Sequence, residues 1–303
     1  MKDIIIIGAG PAGMTAAVYG LRAGKSVLVL SGRGYGGQIV NAAEIENYPA
    51  IPKISGVDFA RQLYDQASAL GAEFVSEKAT GIEDQGDKKI VRTESGAYEG
   101  RAVVIAAGAT NRTLGIEGES RLTGSGVSYC ATCDGNFFRG RDVAVIGGGN
   151  TALEDAEVLS GIVNRVYLVH RRSEFRGEAA AVKRLESKAN VEFVLDSVPE
   201  EIRGKFAVDT LTVKNVKTGE ERELPVSGVF VAVGQVPENG DFANVMELDS
   251  SGYAAADESC VTRTPGVFAA GDCRAKKVRQ LSTATADGAV AALAAVEYIN
   301  GLG

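Results

Sequence analysis

Two stretches of the sequence share one pattern, and this pattern constrains the fold more than any other feature. In each stretch an apolar run precedes a glycine-rich turn, a helix-like segment and a second apolar run. These runs are residues 4–7 and 27–30, then 143–146 and 166–169. Uninterrupted apolar runs are typical of parallel strands buried on both faces. Each stretch therefore predicts a right-handed βαβ unit, and the chain is predicted to be an α/β protein with two Rossmann-like (three-layer ββα) domains.

The segments outside these units are predicted to complete them. Residues 88–92 and 97–104 favour a small antiparallel excursion from the first sheet. A turn at Thr218-Gly219 predicts a hairpin that joins residues 211–213 to residues 229–233. The last sixty residues, with a helix at about 283–299, are too few for a domain and are expected to return to the first sheet.

Charge and residue counts exclude several classes of function. The 303-residue chain carries 32 Lys and Arg against 39 Asp and Glu, and its formal charge of −7 argues against a nucleic-acid partner. The single histidine argues against most histidine-based metal sites and against classical catalytic triads. Four cysteines are too few for a disulfide-rich secreted scaffold. The length fits two domains or one large domain.

Residues 4–21 form an uncharged stretch whose eighteen residues approach the length of a membrane span. Four glycines and Pro11 interrupt it, and Asp3 precedes it where a signal peptide carries positive charge. The stretch therefore predicts a buried strand followed by a turn. We expect no membrane segment and a cytoplasmic location.

The first glycine-rich turn has the form of a dinucleotide-binding fingerprint. Gly8, Gly10 and Gly13 follow a predicted strand and open a predicted helix, whose free N–H groups and dipole favour a pyrophosphate. A purely structural turn is the alternative, but the strand and helix around it favour nucleotide binding. An acidic residue normally ends the second strand of an NAD site. Ser31 occupies that place here, which argues against ordinary NAD binding.

The second turn carries the fingerprint in the form Gly147-x-Gly149-x-x-Ala152. At the end of its second strand lie His170-Arg171-Arg172, with Arg176 close behind. Guanidinium groups can hold a 2′-phosphate bidentately, whereas an acid would repel it. The alternative is a solvated group of arginines, but their position in this motif favours NADP(H) over NAD(H).

Between the two fingerprints lies a Cys-x-x-Cys motif, Cys130 and Cys133. Two thiols at this spacing at a helix start can close a readily reduced disulfide, and the helix dipole can stabilise a thiolate. A structural zinc site is the alternative and needs two further ligands. Cys260 and Cys273 lack the paired spacing for that role, so we predict no metal site.

Together these motifs predict a two-electron relay. A nicotinamide donates hydride, a second dinucleotide accepts it, and a dithiol carries the electrons onward. The middle carrier is predicted to be FAD, because a flavin can accept hydride and reduce a disulfide, and FAD has a pyrophosphate for the first fingerprint.

Over essentially its whole length the chain resembles the low-molecular-weight (bacterial and archaeal-type) thioredoxin reductases, which are NADPH-dependent flavoprotein disulfide reductases. The resemblance rests on the order and spacing of several motifs: residues 8–13 (GAGPAG), 36–38 (GGQ), 44–49 (EIENYP), 130–135 (CATCDG), 147–152 (GGGNTA), 170–172 (HRR), 271–272 (GD) and 279–280 (RQ).

The resemblance implies an FAD-binding domain made of residues 1–109 and 240–303. An NADPH-binding domain, residues 110–239, is inserted in it and carries the Cys-x-x-Cys motif. The implied partners are thioredoxin, as the protein disulfide substrate, and a second copy of the chain in a homodimer.

The same resemblance implies the residues of each site. Those expected at FAD are Gly8, Gly10, Pro11, Ala12, Gly13, Ser31, Gly36, Gly37, Gln38, Asn47, Ala107, Gly108, Asp272, Arg279 and Gln280. Those expected at NADPH are Gly147, Gly149, Asn150, Thr151, Ala152, His170, Arg171, Arg172 and Arg176.

Three residues are implied to be catalytic. By position, Cys133 is the thiol that faces the flavin and Cys130 the one that attacks the protein disulfide. Asp134 is the acid that manages the proton of the dithiol. Two other functions stay open: the same relay could serve another protein or small-molecule disulfide, or the chain could be a flavin-based redox sensor with slow turnover.

Overall fold

The computed structural model describes residues 1–32, 34–42 and 44–302. The strands are β1 (Lys2–Ile7), β2 (Val27–Leu30), β3 (Glu73–Val75), β4 (Ala79–Asp84), β5 (Lys89–Thr93), β6 (Ala97–Ile105), β7 (Ala109–Asn111), β8 (Val127–Ser128), β9 (Asp142–Ile146), β10 (Arg165–Val169), β11 (Val191–Val194), β12 (Ser197–Arg203), β13 (Thr210–Asn215), β14 (Glu221–Pro225), β15 (Gly228–Val231), β16 (Gln235–Pro237) and β17 (Val267–Ala269). The helices are α1 (Pro11–Arg22), α2 (Gly56–Ala69), α3 (Glu119–Leu122), α4 (Ala131–Asp134), α5 (Asn150–Ser160), α6 (Ala179–Glu186) and α7 (Leu281–Gly301).

The chain divides into two compact units. One consists of Met1–Thr110 and Val236–Gly303, and the other of Asn111–Gln235. The two segments where the chain passes from one unit to the other, β7 and β16, pair as a two-stranded sheet. In the described ranges there is no helix that combines the length and the apolar character needed to cross a bilayer.

The first unit is built on one twisted sheet. Its strand order is β3-β2-β1-β6-β5-β4, and β17 also pairs with β6. The strands β3, β2, β1, β6 and β17 run parallel, whereas β6, β5 and β4 are antiparallel neighbours. The predicted first βαβ unit, the antiparallel excursion and the return of the C-terminal segment to this sheet are confirmed.

Both faces of this sheet are covered, as its all-apolar central strands require. On one face, α1 and α7 pack through small side chains, including Ala16, Ala291 and Ala295. The backbones approach so closely that a Cβ at Gly288 would overlap the carbonyl oxygen of Ala12. The other face packs against side chains that include Phe242 and Met246.

The second unit contains a parallel sheet of order β11-β10-β9-β15-β8 and an antiparallel sheet of order β12-β13-β14. The second βαβ unit is therefore confirmed. The predicted pairing of residues 211–213 with residues 229–233 is wrong, because β13 pairs with β14 and β15 is a central parallel strand. The run in β15 is apolar and fully buried, which fits the middle of a parallel sheet better than a hairpin arm.

A buried ionic cluster holds the segment before α7 in the first unit. Asp287 accepts hydrogen bonds from the Nε and Nη2 atoms of Arg274 at 3.2 and 3.0 Å, from Lys276 Nζ at 3.0 Å, and from the Gly271 amide at 3.0 Å. Burial alone would raise the pKa of Asp287, but the bonds from Arg274 and Lys276 outweigh it and hold that pKa below its ordinary value. Asp287 is therefore the buried counter-charge that two cations share. Each cation also has a more exposed partner, Glu258 for Arg274 at 3.2 Å and Asp272 for Lys276 at 3.6 Å.

We expect Asp287→Asn to lower the free energy of unfolding by about 3 kcal/mol, because it removes the buried counter-charge that Arg274 and Lys276 share and leaves them only the more exposed Glu258 and Asp272. Urea unfolding followed by circular dichroism measures the change. Asp65→Asn, at an exposed position of α2, is the matched control and should change the stability little. A loss no larger than that of the control would show that the cluster does not stabilise the unit.

Candidate active site and cofactor sites

Cys130 and Cys133 form a disulfide at the start of α4, with their Cα atoms 5.3 Å apart. The chain leaves the parallel sheet at β8, and Cys130 is the residue that caps the first turn of α4. Cys130 is half-buried and Cys133 is exposed. The predicted redox-active pair is thus joined as a disulfide.

The other two cysteines are buried thiols in the first unit. Cys260 Sγ donates to the carbonyl of Asp287, and Cys273 Sγ donates to that of Ala270. Burial raises the pKa of Cys260 to about 12 and that of Cys273 to about 11, so both are protonated at neutral pH. Within the described ranges, no group of three or more His, Cys, Asp or Glu side chains is arranged to hold a metal ion.

A serine connects the disulfide segment to Asp134. Ser128 Oγ accepts from the Cys130 amide at 3.1 Å and donates to Asp134 Oδ2 at 2.6 Å. The amide of Asp134 in turn donates to the carbonyl of Cys130 at 3.1 Å. Burial raises the pKa of Asp134, and the hydrogen bond from Ser128 offsets this only in part. The carboxyl group of Asp134 is therefore easier to protonate than that of a solvent-exposed aspartate.

A second carboxyl group, which the sequence analysis missed, lies against the same turn. Asp155 on α5 accepts a hydrogen bond from the amide of Ala131, the residue between Cys130 and Thr132. Burial, together with the charge of Glu154, raises the pKa of Asp155 to about 7. Only the packing of α5 on α4 reveals it, because the sequence around Asp155 reads as an ordinary polar helix face.

The first fingerprint forms a tight turn between β1 and α1. Gly8 has φ of 106° and its amide donates to the carbonyl of Leu30 at 2.8 Å. A Cβ at Gly8 would overlap the carbonyl oxygen of Ala106, and one at Gly13 would overlap that of Gly8. Pro11 and Ala12 occupy the first positions of α1, whose N-terminal amides open toward this turn. Only glycines permit this approach of two strand ends to a helix start.

A second loop closes over the turn. Gly36, with φ of 102°, donates its amide to the carbonyl of Ala9 at 2.7 Å. A Cβ at Gly37 would lie 3.2 Å from the Cα of Gly10, so the two backbones need both glycines to approach this closely. Gln38 Nε2 donates to the carbonyl of Ala109, four residues beyond the end of β6.

The remaining predicted residues of the first site also lie in the first unit. Ser31 is buried and its hydroxyl donates to the carbonyl of Gly34 at 2.5 Å. Asn47 Nδ2 donates to Gln280 Oε1 at 3.2 Å, which ties the loop before α2 to the start of α7. Ala107 and Gly108 follow β6, and Gly108 accepts a hydrogen bond from the amide of Glu238.

Arg279 and Asp272 differ in the contacts that their side chains make. The guanidinium of Arg279 lies 4.0 Å from the centre of the Tyr253 ring and donates to the carbonyl of Asp272. In contrast, Asp272 Oδ1 is buried, and the ion pair that it makes with Lys276 Nζ at 3.6 Å is longer than a hydrogen bond. A buried acceptor with no donor at hydrogen-bond distance can accept from a hydroxyl of a bound group, and the ribityl and ribose parts of FAD carry such hydroxyls. The residues present therefore fit this cofactor.

The second fingerprint repeats the tight turn between β9 and α5. Gly147 donates its amide to the carbonyl of Val169 at 3.1 Å, and a Cβ there would lie 2.7 Å from that of Ala152. A Cβ at Gly149 would meet no atom within 4 Å, so open space remains in front of the start of α5. Thr151 is exposed beside this space. Asn150 Oδ1 instead accepts from the amide of Glu178, so this side chain also holds the following loop.

His170 packs against the loop that carries Arg171, Arg172 and Arg176. Its ring packs on Gly148, where a Cβ would overlap it, and stacks on Phe175 with the ring centres 5.1 Å apart. Its Nε2 lies 3.1 Å from the carbonyl oxygen of Glu174. Burial, aided by the charges of the nearby arginines, lowers the pKa of His170, so the ring is neutral at neutral pH.

The arginines of this loop are exposed and available. The amide of Arg176 donates to the carbonyl of Gly148 at 2.8 Å, which fixes the loop to the glycine-rich turn. The side chains of Arg171, Arg172 and Arg176 make no ion pair with any residue of the described ranges. Three unpaired cations beside a dinucleotide turn fit an additional phosphate group.

The chain is similar to known proteins over nearly its whole length. The sequence profile of the pyridine nucleotide-disulphide oxidoreductase family matches residues 2–288. The chain is 44% identical to the thioredoxin reductase of Treponema pallidum, over 99% of this chain and 98% of that one. The crystal structure of thioredoxin reductase from Streptococcus pyogenes superposes with a TM-score of 0.95 at 41% identity, and covers 99% of both chains. The thioredoxin reductase from Giardia duodenalis gives 0.93 at 35% identity, again over 99% of both. The chain therefore belongs to the thioredoxin reductases of the pyridine nucleotide-disulphide oxidoreductase family.

Proposed function

We propose that this chain passes electrons from NADPH through FAD and the Cys130–Cys133 pair to the disulfide of oxidised thioredoxin. The observation that carries the proposal is the disulfide at the start of α4 with Asp134 beside it, in a chain that contains two dinucleotide-type turns. A chain with a nucleotide turn alone could be a dehydrogenase. The disulfide and its proton-holding carboxyl group favour a disulfide reductase.

The unit formed by Met1–Thr110 and Val236–Gly303 binds FAD in this proposal, and the unit formed by Asn111–Gln235 binds NADPH. The buried Asp272 Oδ1, whose ion pair with Lys276 at 3.6 Å leaves it without a donor at hydrogen-bond distance, supports FAD in the first unit. The unpaired arginines after β10 support a 2′-phosphate in the second unit. When bound, the flavin supplies a carrier that accepts two electrons from a nicotinamide and gives two electrons to a disulfide.

The chain's own residues handle the sulfur chemistry. Reduction of the Cys130–Cys133 bond takes two electrons and two protons. Asp134, whose pKa is raised, can supply a proton to one of the sulfurs as it leaves. Cys130 then attacks the disulfide of thioredoxin as a thiolate, forming a mixed disulfide and releasing one thioredoxin thiol. Attack by Cys133 on Cys130 restores the internal disulfide and releases the second thiol.

We also propose a homodimer, in keeping with the sequence resemblance. The helix α7 exposes Val290 and Leu293, which lie one turn apart on the same helix face. A second copy of the chain would bury this apolar pair, and sedimentation should then give twice the mass of the 31.5-kDa chain.

Anaerobic NADPH should bleach the yellow protein within seconds, and added oxidised thioredoxin should restore the colour, because electrons then leave through the dithiol. Stopped-flow absorbance of the flavin band measures both steps. Bleaching without reoxidation by thioredoxin would contradict this substrate, and fast reoxidation by another protein or small disulfide would identify the alternative. Slow bleaching with no disulfide substrate would favour a redox sensor.

Cys130→Ser should abolish thioredoxin reduction while NADPH still reduces the flavin, because the attacking thiol is lost and the hydride route is intact. Steady-state turnover and flavin absorbance measure the two steps separately. Cys260→Ala, which removes a buried thiol that donates to the Asp287 carbonyl, is the matched control and should keep both. Loss of flavin reduction in Cys130→Ser would overturn the roles given to the two cysteines.

Replacing Arg171 and Arg172 together by Ala should raise the KM for NADPH by about 10- to 100-fold and leave that for NADH nearly unchanged. Only the phosphorylated cofactor can use the guanidinium groups. Steady-state kinetics with both cofactors measures the effect. The control is Arg222→Ala in the same unit, because the Arg222 side chain already pairs with Glu192 at 2.7 Å. Equal increases for both cofactors would exclude a phosphate clamp.

A further inference from the structure

A buried carboxylate lies near the disulfide and has no part in the chemistry above. Glu119 is 3% exposed and stands at the start of α3. Its Oε1 accepts from the Leu114 amide and from the Tyr129 hydroxyl, and its Oε2 accepts from the Gly115 amide, each at 2.9 Å. A buried carboxylate is costly unless it is hydrogen-bonded, and these three donors stabilise it.

The donors come from two different segments. Leu114 and Gly115 belong to the segment that follows β7, where the chain enters the second unit. The same segment is tied to the return path, because the Arg112 amide donates to the carbonyl of Gly234 at 3.0 Å. Tyr129 directly precedes Cys130. Glu119 thus connects the chain crossings to the residue next to a reactive cysteine.

Glu119 itself is held firmly. The neighbouring Gly118, with φ of 84°, lies so close to β12 that a Cβ would overlap the carbonyl oxygen of Ile202. The Ile202 amide donates to the carbonyl of Glu117 at 2.9 Å. Thr123 Oγ1 donates to the carbonyl of Glu119 at the same distance. The carboxylate is therefore fixed to the antiparallel sheet of the second unit.

Tyr129 links Glu119 to the segment that contains the disulfide. Its ring packs against the core cluster that includes Leu122 and Val127. Burial and the hydrogen bond to Glu119 raise the pKa of Tyr129 to about 12, so the hydroxyl remains a donor throughout the neutral range. On the other side of Cys130, Ser128 and Asp134 hold the backbone, as described above.

We propose that Glu119, acting through the Tyr129 hydroxyl, is a positioning residue that fixes the backbone at Cys130 for disulfide exchange. The inference rests on the proposed function, because exchange requires the attacking sulfur to approach along the axis of the disulfide bond. Small displacements of a reacting group are expensive in rate, even when the chemistry of that group is unchanged.

Tyr129→Phe tests the inference, because it removes the hydroxyl and keeps the packed ring. It should lower kcat for thioredoxin reduction about tenfold, with KM for thioredoxin unchanged. NADPH-dependent reduction of ferricyanide, which takes electrons directly from reduced flavin, should keep its wild-type rate. Combining Tyr129→Phe with Glu119→Ala should give no larger loss than Glu119→Ala alone, because Glu119→Ala removes the acceptor of the Tyr129 hydroxyl.

Tyr167→Phe is the matched control. Tyr167 packs in the same core cluster and its hydroxyl accepts from Arg165 Nη1 at 3.3 Å, away from the disulfide segment, so turnover should not change. Wild-type kcat in Tyr129→Phe, equal losses with ferricyanide and thioredoxin, or a change confined to KM would each overturn the inference.

A wild-type enzyme that reduces ferricyanide but not thioredoxin would refute the proposed function and not this inference. In that case the rate at which reduced flavin passes electrons to the disulfide, followed by stopped-flow absorbance, becomes the readout. A rate in Tyr129→Phe about tenfold below wild type would support the inference, and an equal rate would overturn it.

Discussion

Close backbone approach at two glycine-rich turns is the constraint on which the rest of the structure depends. At Gly8 and Gly13, and again at Gly147, a single Cβ would overlap a carbonyl oxygen or a neighbouring side chain. Because glycine has no Cβ, a strand end and a helix start can meet at these turns. At Gly149 open space remains in front of the start of α5. The same local arrangement occurs twice, once in each unit, and the proposed function assigns one dinucleotide to each turn.

The disulfide segment is organised by carboxyl groups, each held in a different way. Asp134 is bonded through Ser128, Asp155 takes the amide of Ala131, and Glu119 takes three donors, one of them from Tyr129. A dithiol that forms and breaks a bond in every cycle needs proton acceptors close by and a backbone that does not drift. The raised pKa values of Asp134 and Asp155 suit the first need, and the buried contact of Glu119 suits the second.

Much of this could be predicted from the sequence, because the informative residues are local in the chain. The functional motifs are short and are recognised by the spacing of their residues: the turn at Gly8–Gly13, the run 170–172 and the Cys130–Cys133 pair. Apolar runs mark the strands around them. Contacts between distant segments could not be predicted. Asp287 lies on a helix whose sequence reads as alanine-rich core, yet it neutralises Arg274 and Lys276. The predicted pairing of the β15 run with residues 211–213 is wrong, because an apolar run does not by itself identify its neighbouring strand in the sheet.

The central claim is that the Cys130–Cys133 bond accepts the electrons of NADPH, and counting thiols before and after reduction tests it most directly. The holoenzyme is treated anaerobically with a small excess of NADPH, alkylated in the native state, and analysed by peptide mass spectrometry. The account predicts that Cys130 and Cys133 carry the label only after NADPH, while the buried Cys260 and Cys273 stay unlabelled in both samples. Consumption of NADPH with the Cys130–Cys133 disulfide still intact would contradict it.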